Sequence, residues 1–240
     1  MEIKDKRIDA GKAFDWGKTS EHYAKYRDIY PEEFYRRVVD RGLCITGQKV
    51  LDLGTGTGVL PRNMYRYGAE WIGTDISPNQ IEQAKKLALE SGMNIEFKAV
   101  STEQIDFPTA SFDVITSNPP YMIGQHGLTN PQSAKAIARH EIECTFDDVA
   151  RVTGKLLKPG GKFYLVHRPF RLAEIFATLQ KYKLEPKRMR LVYPFVDKEP
   201  NMVLIEAVRG GNSRMTVEKP LIIYDAPKVY NPEIRSIYGY

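Results

Sequence analysis

The sequence predicts an α/β fold in which a mostly parallel sheet carries helices on both faces. Strand-like and helix-like segments alternate from residue 48 to about residue 180, which is typical of parallel βαβ units. Two strand-like segments, 188–195 and 202–208, then follow each other without a helix between them, and they predict an antiparallel hairpin at one edge of the sheet. The 240 residues suit one such domain with appendages.

The segments before the sheet are predicted to form an arm and two helices. Residues 1–20 are polar, and residues 20–27 have helical character. A second helix is expected to begin at Pro31, because proline suits a first turn and Glu32 and Glu33 follow at the positive helix end. Gly42 ends it. We therefore separate residues 1–45 from a sheet domain of residues 46–240.

Periodicity and turn residues give the order of the remaining elements. Strands are predicted at residues 50–53, 70–75, 94–99, 112–117, 162–166, 188–195, 202–208 and 221–224. Helices are predicted at residues 59–67, 78–92, 146–157 and 172–179. Ser77 followed by Pro78 and Gln80 predicts a capped start for the second of these helices.

A glycine-rich segment lies where the first strand of the sheet domain meets the first helix. Residues 50–58 read Val-Leu-Asp-Leu-Gly-Thr-Gly-Thr-Gly. A strand, glycine loop and helix in succession direct backbone N–H groups into the crevice at the sheet edge. Asp75 ends the next strand, where a carboxylate accepts hydrogen bonds from ribose. The pattern predicts a nucleotide-type cofactor; the alternative is a glycine turn without a ligand.

A second motif, Asn118-Pro119-Pro120-Tyr121, follows the strand predicted at 112–117. The end of a central parallel strand faces the ligand crevice. Two prolines stiffen the chain and leave carbonyl oxygens as acceptors, Asn118 adds an amide, and Tyr121 adds a flat ring. Such a site fits a planar amine as methyl acceptor without a metal or a covalent nucleophile. The alternative is a rigid turn.

Charge is distributed unevenly over the chain. The net charge is +5, but residues 1–150 hold 18 Lys and Arg against 22 Asp and Glu, whereas residues 151–240 hold 17 against 8. The basic segment predicts a polyanionic partner such as RNA; the alternative is an ordinary solvated surface. No segment resembles a signal peptide or a membrane span, and Cys44 and Cys144 suggest buried thiols in a reducing cytoplasm.

The spacing Asp52-x-Gly54-x-Gly56-x-Gly58 resembles motif I of the class I S-adenosylmethionine (SAM) methyltransferases, and the resemblance covers about residues 48–209. It implies a Rossmann-like, seven-stranded sheet of order 3-2-1-4-5-7-6 with SAM as cofactor. The implied cofactor residues are Asp52, Gly54, Thr55, Gly56, Gly58, Asp75, Ile76, Ser101, Thr102, Glu103 and Asn118.

The Asn-Pro-Pro-Tyr motif resembles that of enzymes that methylate adenine N6, guanine N2 or glutamine N5. From Ser117 onwards the chain resembles the bacterial tRNA(Val) adenine-N6 methyltransferases, also in the segments 138–141, 167–172, 186–188, 201–207 and 220–225. This implies a tRNA adenine next to the anticodon as substrate. The residues expected to contact RNA are Arg139, His167, Arg168, Arg171, Lys187 and Arg188.

The first 116 residues instead resemble the type 11 small-molecule methyltransferases related to ubiquinone and menaquinone biosynthesis, through segments 14–31, 73–77 and 111–115. This implies a helical lid over the cofactor, on which Tyr26 and Arg27 would reach the methionine carboxylate of SAM. We therefore considered a recombined or engineered chain joined near residues 116–118. Small-molecule methylation and an inactive SAM-binding scaffold stay open as alternatives to tRNA methylation.

Overall fold

The computed structural model describes residues 3–4, 13–14, 30–119 and 145–239, the first two pairs by their backbone alone. The strands are β1 (Ile3–Lys4), β2 (Ala13–Phe14), β3 (Lys49–Leu53), β4 (Glu70–Asp75), β5 (Glu96–Ala99), β6 (Phe112–Ser117), β7 (Leu157–His167), β8 (Leu184–Tyr193), β9 (Met202–Arg209), β10 (Thr216–Val217), β11 (Leu221–Ile222), β12 (Tyr224–Ala226) and β13 (Val229–Tyr230). The helices are α1 (Glu32–Val39), α2 (Val59–Met64), α3 (Pro78–Glu90), α4 (Phe146–Leu156), α5 (Leu172–Lys181) and α6 (Pro232–Tyr238).

Nine of these strands form one central sheet. Its order is β10-β8-β9-β7-β6-β3-β4-β5, with β11 also paired to β8. The strands from β5 to β7 are parallel, and β9 is antiparallel to both β7 and β8. The seven long strands thus confirm the predicted order 3-2-1-4-5-7-6, and β10 and β11 extend the sheet beyond it. The pairs β1–β2 and β12–β13 lie outside the sheet.

The register of the central strands aligns their carboxyl ends. Leu53 of β3 pairs with Thr74 of β4 on one side and with Ser117 of β6 on the other. The residues that follow these three, Gly54, Asp75 and Asn118, therefore leave the sheet at one level on three adjacent strands. We call this side of the sheet the carboxyl edge and the opposite side the amino edge.

Apolar side chains cover both faces of the sheet. On one face, α4 and α5 pack Phe146, Val149 and Ile175 against buried strand residues such as Ile115. On the other face, the largest buried side chain of α1, Tyr35, packs with residues of α2 and of the strands, including Trp71. The predicted α/β arrangement with helices on both faces is confirmed.

The tail after β9 forms an additional layer beside β8. Val192, Leu221 and Ile234 make up a small core there. The Arg37 guanidinium donates to the backbone oxygen and hydroxyl of Ser236 at 3.0 and 2.7 Å, which ties α1 to α6. Within the part of the chain that the structure describes, no helix is both long enough and apolar enough to cross a bilayer.

Several element boundaries differ from the predicted ones. β7 begins at Leu157 rather than at residue 162, because Leu157 already pairs with Phe112 across a register shift. β8 begins at Leu184 rather than at residue 188, because its first residues pair with the end of β9, as Leu184 does with Arg209. The helix predicted at 59–67 is α-helical only to Met64 and continues as a 3-10 turn. These boundaries depend on strand partners that are distant in sequence.

Candidate functional site

The glycine loop is held against the neighbouring strand by its own backbone. The N–H groups of Gly54 and Thr55 both donate to the carbonyl oxygen of Thr74, at 2.8 and 2.9 Å. Gly54, Gly56 and Gly58 have φ angles of 75°, 57° and 73°, a left-handed conformation that favours glycine. The alternating glycines of the sequence thus correspond to three residues in the left-handed conformation, which carry the chain from β3 into α2.

Gly54 and Gly58 differ in the space around them. A Cβ on Gly58 would lie 2.6 Å from the Phe97 ring and 3.4 Å from the Ala84 Cβ, whereas a Cβ on Gly54 would meet no atom within 4 Å. Gly58 therefore allows the loop to pack against β5 and α3. Gly54 leaves open space above the loop, where a ligand would approach the backbone.

We expect Gly58→Ala to destabilise the fold by about 2–4 kcal/mol, since it combines left-handed strain with a clash against Phe97. Gly54→Ala has the same backbone strain and no clash, so about 1–2 kcal/mol is expected for it. Urea unfolding of both variants and the parent checks the difference. Equal losses for the two variants would show that contact with Phe97 is not what requires glycine at 58.

Asp75 connects the glycine loop to the start of α3. Its Oδ2 accepts from the Gly56 N–H at 2.9 Å, and its Oδ1 accepts from the Ser77 N–H at 2.9 Å. A carboxylate oxygen can accept more than one hydrogen bond, so Asp75 is of the residue type that binds ligand hydroxyls. The exposed Ile76 follows directly and adds an apolar surface beside it.

The end of β5 supplies a further polar group. The Val100 N–H donates to the Asp75 carbonyl at 2.9 Å, which places the next residue, Ser101, beside the Asp75 strand end. The Ser101 hydroxyl is buried and has no hydrogen-bond partner among the described residues. Thr102 begins a 3-10 turn that also contains the exposed Glu103. Ser101, Thr102 and Glu103 therefore follow the end of β5 at the carboxyl edge, beside Asp75.

Asp52 lies in the sheet just before the loop. Its Oδ1 accepts from the Thr116 hydroxyl of β6 at 2.6 Å. Burial raises the pKa of this carboxyl to about 6, against the effect of the hydroxyl bonds, and the nearby Asp75 charge adds to the increase. Asp52 therefore resists ionisation in the folded protein more than in the unfolded chain.

The raised pKa of Asp52 predicts a pH dependence of stability. Because the folded state holds this proton more tightly, the resulting stability is present below pH 4 and is lost as the pH rises to about 6. Relative to the parent, Asp52→Asn should therefore gain up to about 3 kcal/mol of unfolding free energy between pH 4 and pH 7. Chemical unfolding at both pH values measures this gain.

Asp113 at the amino edge provides the matched control. Burial opposes its ionisation, but the Lys158 ammonium and the Lys49 N–H outweigh burial and lower the Asp113 pKa. The stability that Asp113 contributes is present above about pH 4 and is lost as the pH falls through its lowered folded pKa. Asp113→Asn should therefore lose stability relative to the parent as the pH rises from about 3 to about 5, so unfolding is also measured at these values. If the unfolding free energy relative to the parent changed in the same direction with pH for both variants, the two pKa shifts could not be assigned to their different local environments.

Asn118 and Pro119 are the described part of the second motif. Asn118 is exposed at the carboxyl edge, Pro119 is buried, and the preceding Ser117 hydroxyl donates to the Leu53 carbonyl at 3.2 Å. With two strand spacings of about 4.8 Å each between β4 and β6, Asp75 and Asn118 lie about 10 Å apart at the carboxyl edge. Pro120, Tyr121, Tyr26, Arg27, Arg139 and His140 lie outside the described residues.

Comparison with known proteins shows the family to which the chain belongs. Residues 50–161 match a family model described as a methyltransferase domain. The tRNA1(Val) (adenine(37)-N6)-methyltransferase of Parabacteroides distasonis is 31% identical over 181 residues, which cover 71% of this chain and 75% of that protein. The chain belongs to the class I SAM-dependent methyltransferases. The methyl donor of this enzyme class is SAM.

Two further proteins are similar to this chain. A solved structure described as a predicted O-methyltransferase, protein Atu636 from Agrobacterium tumefaciens, superimposes with a TM-score of 0.63 at 19% identity and covers 82% of this chain and 92% of that one. The ubiquinone biosynthesis O-methyltransferase of Nitrosococcus oceani is 31% identical over 121 residues, or 50% of this chain and 43% of that protein. The resemblance to the tRNA adenine-N6 methyltransferases and the resemblance to the ubiquinone-related methyltransferases are thus each matched by a similar protein.

The similarity to the tRNA enzymes extends beyond the segment in which the sequence motifs place it. Residues 117–240 are only about half of the chain, whereas the Parabacteroides match covers 71% of it. That match must therefore cross residues 116–118, and the sheet there is continuous from β3 through β6 to β7. A junction between two families is not needed to account for this methyltransferase.

Among the residues expected to contact RNA that the structure describes, His167 and Arg171 have side chains used inside the fold. His167 is fully buried, its Nδ1 accepts from the Arg168 N–H at 2.8 Å, and burial next to Arg171 lowers its pKa to about 4, so it is neutral at pH 7. Arg171 is only 7% exposed and binds Glu174 through two hydrogen bonds of 2.9 and 2.6 Å. As RNA contacts these two residues were wrong for this conformation, because the fold uses their side chains internally.

Three other predicted contacts lie on two strands. Arg168 follows β7 at the carboxyl edge and donates to the Asn201 carbonyl at 2.7 Å. Lys187 and Arg188 lie on β8, where Arg188 pairs with Glu206 of β9, which pairs with Tyr164 of β7 opposite Thr116 of β6. Arg188 is therefore level with the end of β6, but its guanidinium is held by Glu206 and Glu218 at 2.7 and 3.0 Å. Spacing alone cannot show which basic side chains are held in ion pairs within the fold.

Sequence reasoning missed several side chains that support the glycine loop. The Gln80 N–H donates to the Ser77 hydroxyl at 3.4 Å, which confirms the capped start of α3. The Gln80 side-chain oxygen lies 3.9 Å from the position that a Cβ on Gly56 would take. The Thr116 hydroxyl bonds to Asp52, and the Phe97 ring packs beneath Gly58. Their strand positions were predicted, but nothing local identified these contacts.

Proposed function

We propose that the chain transfers a methyl group from SAM to the N6 amine of an adenine in tRNA. The observation that carries the proposal is the placement of Asn118 at the carboxyl edge, level with Gly54 and Asp75. An amine held by Asn118 would then lie beside the cofactor loop. The relative from Parabacteroides distasonis is named for this reaction.

In this proposal the cofactor lies across the ends of β3, β4 and β5. Asp75 accepts from the ribose hydroxyls through its carboxylate, and the backbone of Gly54 and Gly56 approaches the methionine part. Ser101, with Thr102 and Glu103, borders the adenine together with Ile76. Tyr26 and Arg27 remain proposed ligands of the methionine carboxylate. SAM supplies an electrophilic sulfonium methyl group and leaves as S-adenosyl-L-homocysteine, while the methylated amine releases one proton to solvent.

The protein's part in the chemistry is orientation. The lone pair of an exocyclic adenine amine is delocalised into the ring, so the amine is a weak nucleophile. The side-chain oxygen of Asn118 and the carbonyl of Pro119 would accept its two N–H groups and direct the lone pair at the methyl group. Tyr121 would stack on the base after it leaves its helix or loop. Orientation of this kind contributes several kcal/mol.

A second candidate, methylation of a small molecule, is favoured by the match to the Nitrosococcus ubiquinone O-methyltransferase over half of this chain. A phenol needs a base to remove its single O–H proton. It has only this one donor, whereas an amine offers two N–H groups to the two acceptors. The amide and carbonyl pair at Asn118 and Pro119 therefore supports the amine as acceptor.

Methyl transfer from labelled SAM separates the two candidates. Unmodified tRNA and a ubiquinone-type phenol are offered to the same protein, and labelled nucleosides are identified after digestion of the RNA. N6-methyladenosine as the product supports the proposal, and label in the phenol alone would overturn it. Affinity for tRNA should also fall steeply between low and physiological salt, because phosphate contacts release counterions.

A further inference from the structure

An exposed aromatic ring follows β7 at the carboxyl edge. Phe170 is 73% exposed, although phenylalanine side chains are usually buried. It lies in the 3-10 turn Pro169–Arg171. Two hydrogen bonds from Arg171 to Glu174 fix this turn to the start of α5. The ring therefore points into solvent from a fixed backbone, one strand away from Asn118.

Three further rings form a ladder beyond β8. The Phe195 and Tyr224 centroids lie 5.6 Å apart, and Tyr224 stacks on Tyr230 at 4.9 Å with an interplanar angle of 24°. The Tyr224 N–H donates to the Pro194 carbonyl at 3.0 Å, which attaches the β12–β13 hairpin to the end of β8. Tyr230 is the outer ring and is 39% exposed.

The ladder and Phe170 are on the same side of the sheet as Asn118. β8 is antiparallel to β9, which is antiparallel to β7, so β8 runs in the direction of β6 and also ends at the carboxyl edge. Three to four strand spacings of about 4.8 Å separate β6 from β8 and β11, or roughly 15–20 Å. A stacked strand of roughly five nucleotides, at about 3.4 Å each, spans this distance.

Basic groups accompany the rings. Lys228 occupies the hairpin turn at φ 66°, is exposed, and forms no ion pair with the described residues. The Arg235 Nε donates to the Tyr230 carbonyl at 3.0 Å, and Arg168 lies between Phe170 and the ladder through its bond to Asn201. The acidic Asp225 of the hairpin accepts from Asn231 at 2.7 Å. Residues 151–240 as a whole have nine more basic than acidic side chains.

We propose that Phe170, Phe195, Tyr224 and Tyr230, with Arg168 and Lys228, form a stacking track for single-stranded nucleotides that flank the target adenine. Aromatic rings with interspersed cations are the usual means of holding unpaired bases, because every base has a π-face. The track rests on the proposed function and extends it: substrates are selected for an unpaired segment of several nucleotides, not for the adenine alone.

The track predicts that the loss of affinity caused by each substitution depends on the length of the RNA. Binding is measured by fluorescence anisotropy, without methyl transfer, for an unmodified anticodon stem-loop and for a trinucleotide that contains the target adenine. Tyr230→Leu keeps an apolar side chain but removes the ring face, so stem-loop affinity should fall roughly 5- to 150-fold, whereas trinucleotide affinity should not change. Phe170 lies only one strand away from Asn118, so Phe170→Leu should weaken the binding of both RNAs.

Matched variants separate stacking from folding. Tyr230→Phe retains the ring and should bind the stem-loop like the parent. Leu89→Ala removes an apolar side chain that is 80% exposed on α3, beside β4 and β5 at the far end of the sheet, and should leave both affinities unchanged. Stem-loop binding of Tyr230→Leu at parental strength, or an equal loss for both RNAs, would overturn the track.

These binding measurements, together with the methylation assay of the parent, distinguish failure of the track from failure of the proposed function. A parent that methylates tRNA while Tyr230→Leu binds the stem-loop normally retains the function and loses the track. A parent whose stem-loop binding depends on Tyr230 but which methylates no RNA retains the track and loses the function. A parent that binds neither RNA overturns both.

Discussion

Asn118→Ala should lower the rate of methyl transfer to tRNA roughly hundredfold or more while changing tRNA affinity only slightly. The Asn118 side chain is exposed at the carboxyl edge, so its removal leaves the core intact. Its proposed contact matters most as electron density moves from the amine towards the methyl group, and interactions that strengthen in the transition state act on rate. Single-turnover rates with saturating SAM and tRNA, beside separate binding curves, measure the two effects independently.

Asn212→Ala is the matched control for this variant. Asn212 is also an exposed asparagine, but it follows β9 near the amino edge, where its backbone carbonyl accepts from Lys187 at 2.8 Å. Truncating its side chain removes the same group on the other side of the sheet and should leave the rate unchanged. Rate and affinity that fall together in Asn118→Ala would indicate a rigid turn that only supports the fold.

Asp75→Ala should weaken SAM binding roughly 10- to 150-fold, which corresponds to about 1.5–3 kcal/mol for hydrogen bonds to a charged group. The variant removes the proposed ribose acceptor, and it also releases the Gly56 and Ser77 N–H groups that the carboxylate holds at 2.9 Å. Isothermal titration with SAM measures the loss. Because this prediction concerns only the cofactor, it holds for either methyl acceptor.

Asp113→Ala tests whether the effect belongs to the cleft. The Asp113 carboxylate likewise accepts from a backbone N–H, that of Lys49 at 2.8 Å, but at the amino edge. Its loss should lower stability and leave SAM affinity unchanged. SAM titration curves that respond equally to both substitutions would locate the effect in general stability, and an unaffected Asp75→Ala would remove Asp75 from the cofactor site.

The cofactor side of the cleft could be predicted from the sequence because its determinants are local. Gly54, Gly56 and Gly58 need a left-handed backbone, and that need appears directly as residue type. Asp75 and Asn118 are the residues that end or follow apolar strands, and parallel strands place such residues at one edge whatever packs around them. The seven-strand order came from family resemblance and agrees with the structure.

The RNA side depended on tertiary structure. His167 and Arg171 have the residue types of an RNA contact, yet packing beneath α4 and α5 buries one and pairs the other with Glu174. The start of β8 depends on its partner β9, and the aromatic ladder joins Phe195 to Tyr230, 35 positions apart, through a hairpin on the sheet edge. The sequence alone determined the fold class and the cofactor loop, because backbone conformation and strand ends are local. Only the tertiary structure decided which basic and aromatic side chains face solvent, because burial depends on residues distant in the chain.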